Sequence, residues 1–316
     1  MQKNGYKFKS KLGEGMYGKV VSASSAQLKK MVAIKIIYKE KLMSKNLEKF
    51  LSRELEIIRS LNHPNIVKTL DIFELHTSKV YVVMELCVKG NLLKHINSKG
   101  ALSDHSSYRL FTQLCEAVQY LHNEDVAHRD IKCENLLLDM NFNLKVCDFG
   151  FSKRLTYTDG RIVLSETYCG TSSYAAPEIL RGLPYNPKVS DVWSMGVVLY
   201  MMLYALMPYD ATNIKRMMAT QMRHDINFPN VPSVSSEAKD LIHRTLHPNV
   251  EQRITISNIF LNSWMLLEER VKATCEAPTS NAGSGQEGTP DDQAKENKEL
   301  SKDDSDPGEG TSTAGQ

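Results

Sequence analysis

The sequence predicts an α+β fold in two lobes: a small sheet-rich lobe over about 6–86 and a mainly helical lobe over about 87–269. Three observations carry that expectation. Strand patterns rich in β-branched residues crowd the first part, at Val32-Ala33-Ile34-Lys35-Ile36-Ile37 and from Val80 to Leu86. The most hydrophobic stretch, Trp193 to Pro208, lies in the second part and reads as a buried core helix. With 316 residues and 41% apolar content, the chain has enough material for a large core divided between two lobes.

The first element is a glycine loop. Gly13-Glu14-Gly15-Met16-Tyr17-Gly18-Lys19-Val20 fits G-x-G-x-x-G-x-V. Dinucleotide-binding folds use the same spacing ahead of a helix. Here a Ser/Ala/Lys-rich stretch leads instead into the Val32–Ile37 strand, so the loop reads as a strand-borne flap over phosphates. Glycines there let backbone N–H groups approach phosphate oxygens without a Cβ in the way. Lys35 is placed to meet those phosphates and needs an acid to hold it. A helix over about Leu47 to Leu61 offers Glu54 and Glu56. Phe50, Glu54, Ile58 and Leu61 form one stripe at 100° per residue, with Glu56 on the far side. An acid inside an apolar stripe needs an ionic partner, which selects Glu54.

His128-Arg129-Asp130-Ile131-Lys132-Cys133-Glu134-Asn135 is followed, thirteen residues after Asn135, by Asp148-Phe149-Gly150. This constellation implies phosphoryl transfer from ATP to a hydroxyl. Asp130 is expected to accept the hydroxyl proton, with Lys132 neutralising charge beside it. Asn135 and Asp148 supply oxygen ligands of the kind Mg²⁺ prefers. Asp148 to Glu178 spans 31 residues, too long for an ordinary connection and consistent with a switch. It carries Ser165, Thr167, Tyr168 and Thr171, with Thr167 the expected phosphosite and Arg129 and Lys153 the cations to hold its phosphate. Glu178 is expected to pair with Arg253, and Asp191 to bond the catalytic-loop backbone or cap the core helix.

Together these residues resemble the eukaryotic protein kinases over about Tyr6 to Trp264. Lys132 and Thr171 resemble the serine/threonine branch. The runs Asp130 to Asn135, Phe149 to Arg154, Thr167 to Gly170 and Met207 to Lys215 are similar to the testis-specific serine/threonine kinases, with Cys133 where proline is usual. The resemblance implies a two-lobed protein kinase fold, ATP and Mg²⁺ as cofactors, protein substrates bearing Ser or Thr, and activation by an upstream kinase or autophosphorylation. It implies a nucleotide site of Leu12, Gly13, Glu14, Gly15, Met16, Tyr17, Gly18, Lys19, Val20, Ala33, Lys35, Glu54, Met84, Glu85, Cys87 and Leu137. It also implies a role in sperm development. Three departures stand out: Ser172 replaces a proline, Ala205 a glycine, and Asn91 an acid that basophilic relatives use on substrate arginines. Glu134 remains for a basic substrate residue. Cys147, beside Asp148, is a candidate for labelling by an electrophile in the ATP pocket.

The competing class is a pseudokinase scaffold, whose usual mark is loss of Lys35, Asp130 or Asp148; all three are present. The Ala176-Pro177-Glu178 segment speaks against a small-molecule kinase. No signal peptide is visible, Gln2 excludes N-myristoylation, and the 16 residues of the core run fall short of a bilayer span. Six cysteines without a Cys-x-x-Cys pair argue against a disulfide framework, so a cytoplasmic monomer without nucleic-acid or membrane partners is expected. From Cys275 onward the net charge is −7, leaving about +9 on the rest. With almost no large apolar residues, 270–316 reads as a disordered acidic tail, with Thr289 and Ser301 as phosphosite patterns.

Overall fold

Alternation in the first strands decides which side chains face a helix and which face the opposite side of the sheet. The computed structural model describes residues 4–267 apart from 16–17, 42–44 and 76–77, and without the side chains of 45–48, 50 and 75. Met16, Tyr17, Phe50 and the acidic tail therefore lie outside the described residues or side chains. The chain divides into two units, Met1–Glu276 and Ala277–Gln316.

The first lobe runs β1 (Tyr6–Gly15), β2 (Gly18–Ser25), β3 (Lys30–Tyr38), α1 (Lys45–Ser60), β4 (Thr69–Leu75) and β5 (Lys79–Glu85). The strands form one antiparallel sheet in the order β1-β2-β3-β5-β4. Val32, Ile34 and Ile36 of β3 pack with Val21, Ala23, Tyr81 and Val83 on one face. Ile37 packs with Val80, Val82 and Leu51 of α1 on the other. A period of two puts Lys35 on that same α1 face. A Cβ at Gly18 would sit 2.0 Å from the Ile36 carbonyl oxygen, so this glycine is required by the close approach of β2 to β3. Gly13 and Gly15 have nothing within 4 Å of such an atom, leaving open space over the strand pair.

The α1 stripe differs from the expected one. Leu51, Glu54, Ile57 and Leu61 are buried, with Ile58 only partly so. Glu54 belongs to either stripe. Glu56 is exposed, as expected, and faces Arg154 at 3.6 Å.

The second lobe opens with α2 (Leu92–Lys99), α3 (Asp104–Asn123) and β6 (Val126–Ala127). Short strands β7 (Leu136–Leu138), β8 (Leu144–Val146), β9 (Lys153–Arg154), β10 (Tyr157–Thr158) and β11 (Arg161–Ile162) carry the catalytic and switch loops. Helices α4 (Pro177–Leu180), α5 (Pro187–Tyr204), α6 (Ile214–Met222), α7 (Ser236–Thr245) and α8 (Ile256–Ile259) complete it. Helix α5 is the hub: Trp193, Met195, Val197, Val198, Leu199 and Met202 are fully buried. Each such side chain contributes about 1.5–3 kcal/mol of hydrophobic stabilisation. The helix starts at Pro187, capped by the Asn186 side chain on the Lys188 amide, and ends at Tyr204. The apolar run through Pro208 therefore outlasts the helix, and Leu206 is exposed. No helix among the described residues is long and apolar enough to cross a membrane.

Candidate active site

Lys35 projects from β3 and Glu54 from α1, and the two side chains meet at 2.6 Å. The Lys35 ammonium also donates to Asp148 Oδ1 at 3.1 Å. Burial works against the ammonium, but Glu54 and Asp148 outweigh it and hold the lysine pKa above its ordinary value. In return Lys35, more than burial, keeps the Asp148 carboxyl below the usual carboxylate range. The β1–β2 hairpin places Leu12, Gly13, Glu14 and Gly15 on one strand and Gly18, Lys19 and Val20 on the next. Leu12 is exposed, and the Glu14 carboxylate is engaged by Lys11.

On the neighbouring strands Ala33 faces Met84 across the β3–β5 ladder. The Glu85 amide donates to the Lys68 carbonyl at 3.0 Å, and its carboxylate holds Lys145 at 3.1 Å. This leaves the backbone of the connection through Cys87 as the expected edge for a purine. Leu137 of β7 closes the set through its bridge to Asn91. Burial pushes the Cys87 thiol up to about 12. Burial first, and then the Asp148 charge, also raise the Cys147 thiol.

The catalytic loop is held from beneath. Asp191, in the second turn of α5, accepts the backbone N–H groups of His128 at 2.9 Å and Arg129 at 2.8 Å, and His122 Nε2 lies at 3.0 Å. It does not cap α5; Asn186 does. The Asp130 amide donates to His128 Nδ1 at 3.3 Å, which leaves Nε2 as the donor toward the Cys147 carbonyl at 3.1 Å. His128 thus ties the loop bearing Asp130 to the segment bearing Asp148. Its ring also stands edge-on to Phe149, which is buried in the main core.

Asp130 is 6% exposed, so its carboxylate depends on its partners. Lys132 Nζ lies 2.8 Å from Oδ2, and Asn135 Nδ2 donates to Oδ2 at 3.0 Å and to the Asp130 carbonyl at 2.9 Å. Thr171 donates to Oδ1 at 3.0 Å while accepting from Lys132 at 2.8 Å. The Asp130 carboxylate is therefore already bonded to a hydroxyl within this chain. With both Nδ2 contacts on Asp130, Asn135 has its amide oxygen left for a cation. A carboxylate and an amide oxygen form a hard donor pair that fits Mg²⁺, which normally takes only one or two protein ligands beside phosphates and waters. No group of three or more His, Cys, Asp or Glu among the described residues is placed to hold a metal by itself.

The switch segment is anchored at its far end by Glu178, which takes two hydrogen bonds from Arg253, at 2.7 and 2.9 Å, and a third from Ser190 at 3.0 Å. Thr167 is exposed; Arg129 contacts the segment from the catalytic loop, and Lys153 lies within it. Burial first, then the Arg129 and Arg53 charges, push the Lys153 ammonium down, as a cluster of cations does. Asn91, standing where an acid was expected, caps α2 by accepting the Lys94 amide at 2.9 Å.

Asp191 makes the bonds to the catalytic-loop backbone that the sequence reading offered for it. His128 and Thr171 belong to the site without having been given these contacts. The Thr171 bond to Asp130 is not readable, because it crosses 41 positions of sequence.

The sequence matches the protein kinase domain family over residues 6–265. It is 52% identical over 266 residues to testis-specific serine/threonine-protein kinase 1 of Mus musculus, covering 84% of this chain and 73% of that one. With the human protein of that name it shares 48% identity over 290 residues, 92% of this chain and 78% of the relative. With testis-specific serine/threonine-protein kinase 3 of Mus musculus it shares 43% over 262 residues, 83% and 96% of the two chains. A kinase-family match over most of the chain and these relatives place it in one family: the protein is a serine/threonine protein kinase of the testis-specific kinase group.

Proposed function

We propose that transfer of the ATP γ-phosphoryl group to a protein Ser or Thr is carried out by Asp130, Lys132, Lys35, Glu54, Asn135 and Asp148 in the roles their contacts support. The observation that carries this reading is the Asp130–Thr171–Lys132 triangle, which presents a bonded hydroxyl to the base beside a cation. Asp130 takes the proton from the acceptor hydroxyl, and Lys132 offsets charge developing near it. Lys35, kept cationic by Glu54, binds and orients phosphate oxygens. Asp148 and Asn135 are the residues that would hold Mg²⁺. When bound, the ion neutralises phosphate charge and aligns the reacting group. Preorganised charges of this kind supply most of the rate, with general base catalysis adding roughly 10²–10⁴-fold.

The purine lies between Val20 and Ala33 above and Leu137 below, beside Met84, with its edge on the backbone of Glu85 and Cys87. The catalytic domain occupies about 1–269, and 270–316 serves as an acidic tail. Glu134, whose carboxylate accepts from Tyr174 at 3.2 Å, offers a negative charge to a basic residue upstream of the target hydroxyl. A phosphate on Thr167, placed by an upstream kinase or by autophosphorylation, is held by Arg129 and Lys153. The relatives' shared name, testis-specific, supports work in sperm development, and the cytoplasm is the compartment we propose. No observation favours a pseudokinase scaffold.

The test is labelled phosphate transfer from Mg-ATP to a degenerate Ser/Thr/Tyr peptide library, with Asp148→Asn beside the wild type. Transfer to Ser and Thr is expected, with a loss of at least about 10³-fold in the variant. Undiminished transfer by Asp148→Asn would remove Asp148 from the site.

A further inference from the structure

One residue of the switch segment turns inward where its neighbours do not. Ser165 is 1% exposed, whereas Val163, Leu164, Glu166, Thr167 and Tyr168 are all exposed. Its backbone pairs with Tyr185 in both directions, at 2.8 and 3.0 Å. Its hydroxyl accepts from Arg129 Nη1 at 3.2 Å. Tyr185 is itself 4% exposed and donates its hydroxyl to the Thr167 carbonyl at 3.0 Å. A second arm of Arg129, Nε, donates to the Phe151 carbonyl at 2.7 Å. The guanidinium next to the base is thus met by two neutral oxygens, one near the start of the segment and one near its middle.

Arg129 also has a backbone that needs support. Its φ is +64°, in the left-handed region that a non-glycine residue holds only when its surroundings impose it. The Asp191 carboxylate restrains its amide from below, and the Ser165 and Phe151 oxygens restrain its side chain from above. Both sets of bonds act on the residue adjoining Asp130.

We propose that Ser165 and Tyr185 are positioning residues that dock the switch segment on Arg129 through hydrogen bonds to neutral oxygens. The catalytic loop is then aligned before any phosphate reaches Thr167, and a phosphate there reinforces an arrangement already made. This rests on Thr167 being the phosphosite proposed above. Thr167 is exposed, whereas Ser165 is buried and serves as an anchor.

The experiment uses the full chain as wild type, Thr167→Ala, Ser165→Ala, the Ser165→Ala/Thr167→Ala double variant and Asp148→Asn. Peptide kcat and KM, ATP KM, Thr167 occupancy by intact mass and Tm are measured for each. Thr167→Ala is expected to keep kcat/KM within about threefold of the wild type. The double variant should fall at least about 30-fold, mainly in kcat, with ATP KM within twofold. Ser165→Ala with Thr167 phosphorylated should recover to within fivefold, and Ser165→Thr in the Thr167→Ala background to within threefold. Tyr185→Phe/Thr167→Ala, which removes one hydroxyl and no volume beneath it, should fall at least fivefold and guards against simple misfolding of the double variant. A 30-fold loss in Thr167→Ala alone, or a double variant no worse than Thr167→Ala, overturns the proposal. Those results leave Asp148→Asn inactive, whereas failure of the catalytic assignment would leave Asp148→Asn as active as the wild type.

Discussion

At Lys35, three influences compete and the carboxylates win. Burial disfavours the ammonium, but Glu54 at 2.6 Å and Asp148 at 3.1 Å hold it charged. Glu54→Gln keeps the shape and removes the charge, so kcat/KM for ATP is expected to fall roughly 10²-fold, the typical loss for one preorganised electrostatic contact. Steady-state kinetics at several ATP concentrations decides it, and a value within twofold of wild type would reduce the pair to a scaffold. Glu54 was legible from sequence because an acid in an apolar stripe has few other uses. The buried stripe runs through Leu51, Glu54, Ile57 and Leu61, with Ile58 partly buried beside it, while the Phe50 side chain lies outside those described. Leu51 packs on the sheet and Ile57 against the main core, so tertiary packing selects both.

Helix ends and junctions carry one departure from sequence expectation and one cluster of histidines. Ala205 holds φ +54° as the C-cap of α5, a conformation that glycine adopts without a Cβ penalty. Ala205→Gly is therefore expected to stabilise the fold by about 1 kcal/mol, net of the extra unfolded-state entropy; denaturant unfolding measures it, and a destabilised variant would refute the strain. Where α6 and α7 end, the His224 ring lies 3.7 Å from that of His243, tilted by 41°, and 4.7 Å from that of His247. Burial first, and then the neighbouring imidazoles, push His224 and His243 below the ordinary histidine value, with Asp240 partly opposing this at His243. Near the unfolded value of about 6.5 the unfolded chain binds more protons than the folded one. This stabilising contribution is complete above about pH 6.5 and is lost as pH falls through it toward the depressed folded values. Tm should drop between pH 7 and 5.5, less steeply in His243→Gln; parallel slopes would dismiss the cluster as the cause.

Across the whole molecule, the Glu178–Arg253 pair joins residues 75 apart and is fully enclosed, with Arg253 also over the Trp193 ring at 5.0 Å. Arg253→Met leaves a buried carboxylate uncompensated and is expected to cost about 3–5 kcal/mol, whereas replacing both partners with apolar residues should recover much of that loss. Urea unfolding of the three variants tests this. Equal losses in the single and double variants would mean that packing, and not the orphaned charge, sets the cost.

The sequence by itself determined the family and the sheet-then-helix order, and it named the side chains proposed for catalysis. Those depend on local spacing, on strand and helix periods, and on chemistry that tolerates few residue types. The tertiary structure alone decided that Ser165 turns inward and that Gly18 yields to the Ile36 carbonyl, and it chose between the two roles offered for Asp191. It also assigned Asn91 to a helix cap and gave Thr171 to Asp130. Loop backbones carry no period. Their hydrogen-bond partners are set by which distant surfaces pack together, and that information appears only once the core around α5 has formed.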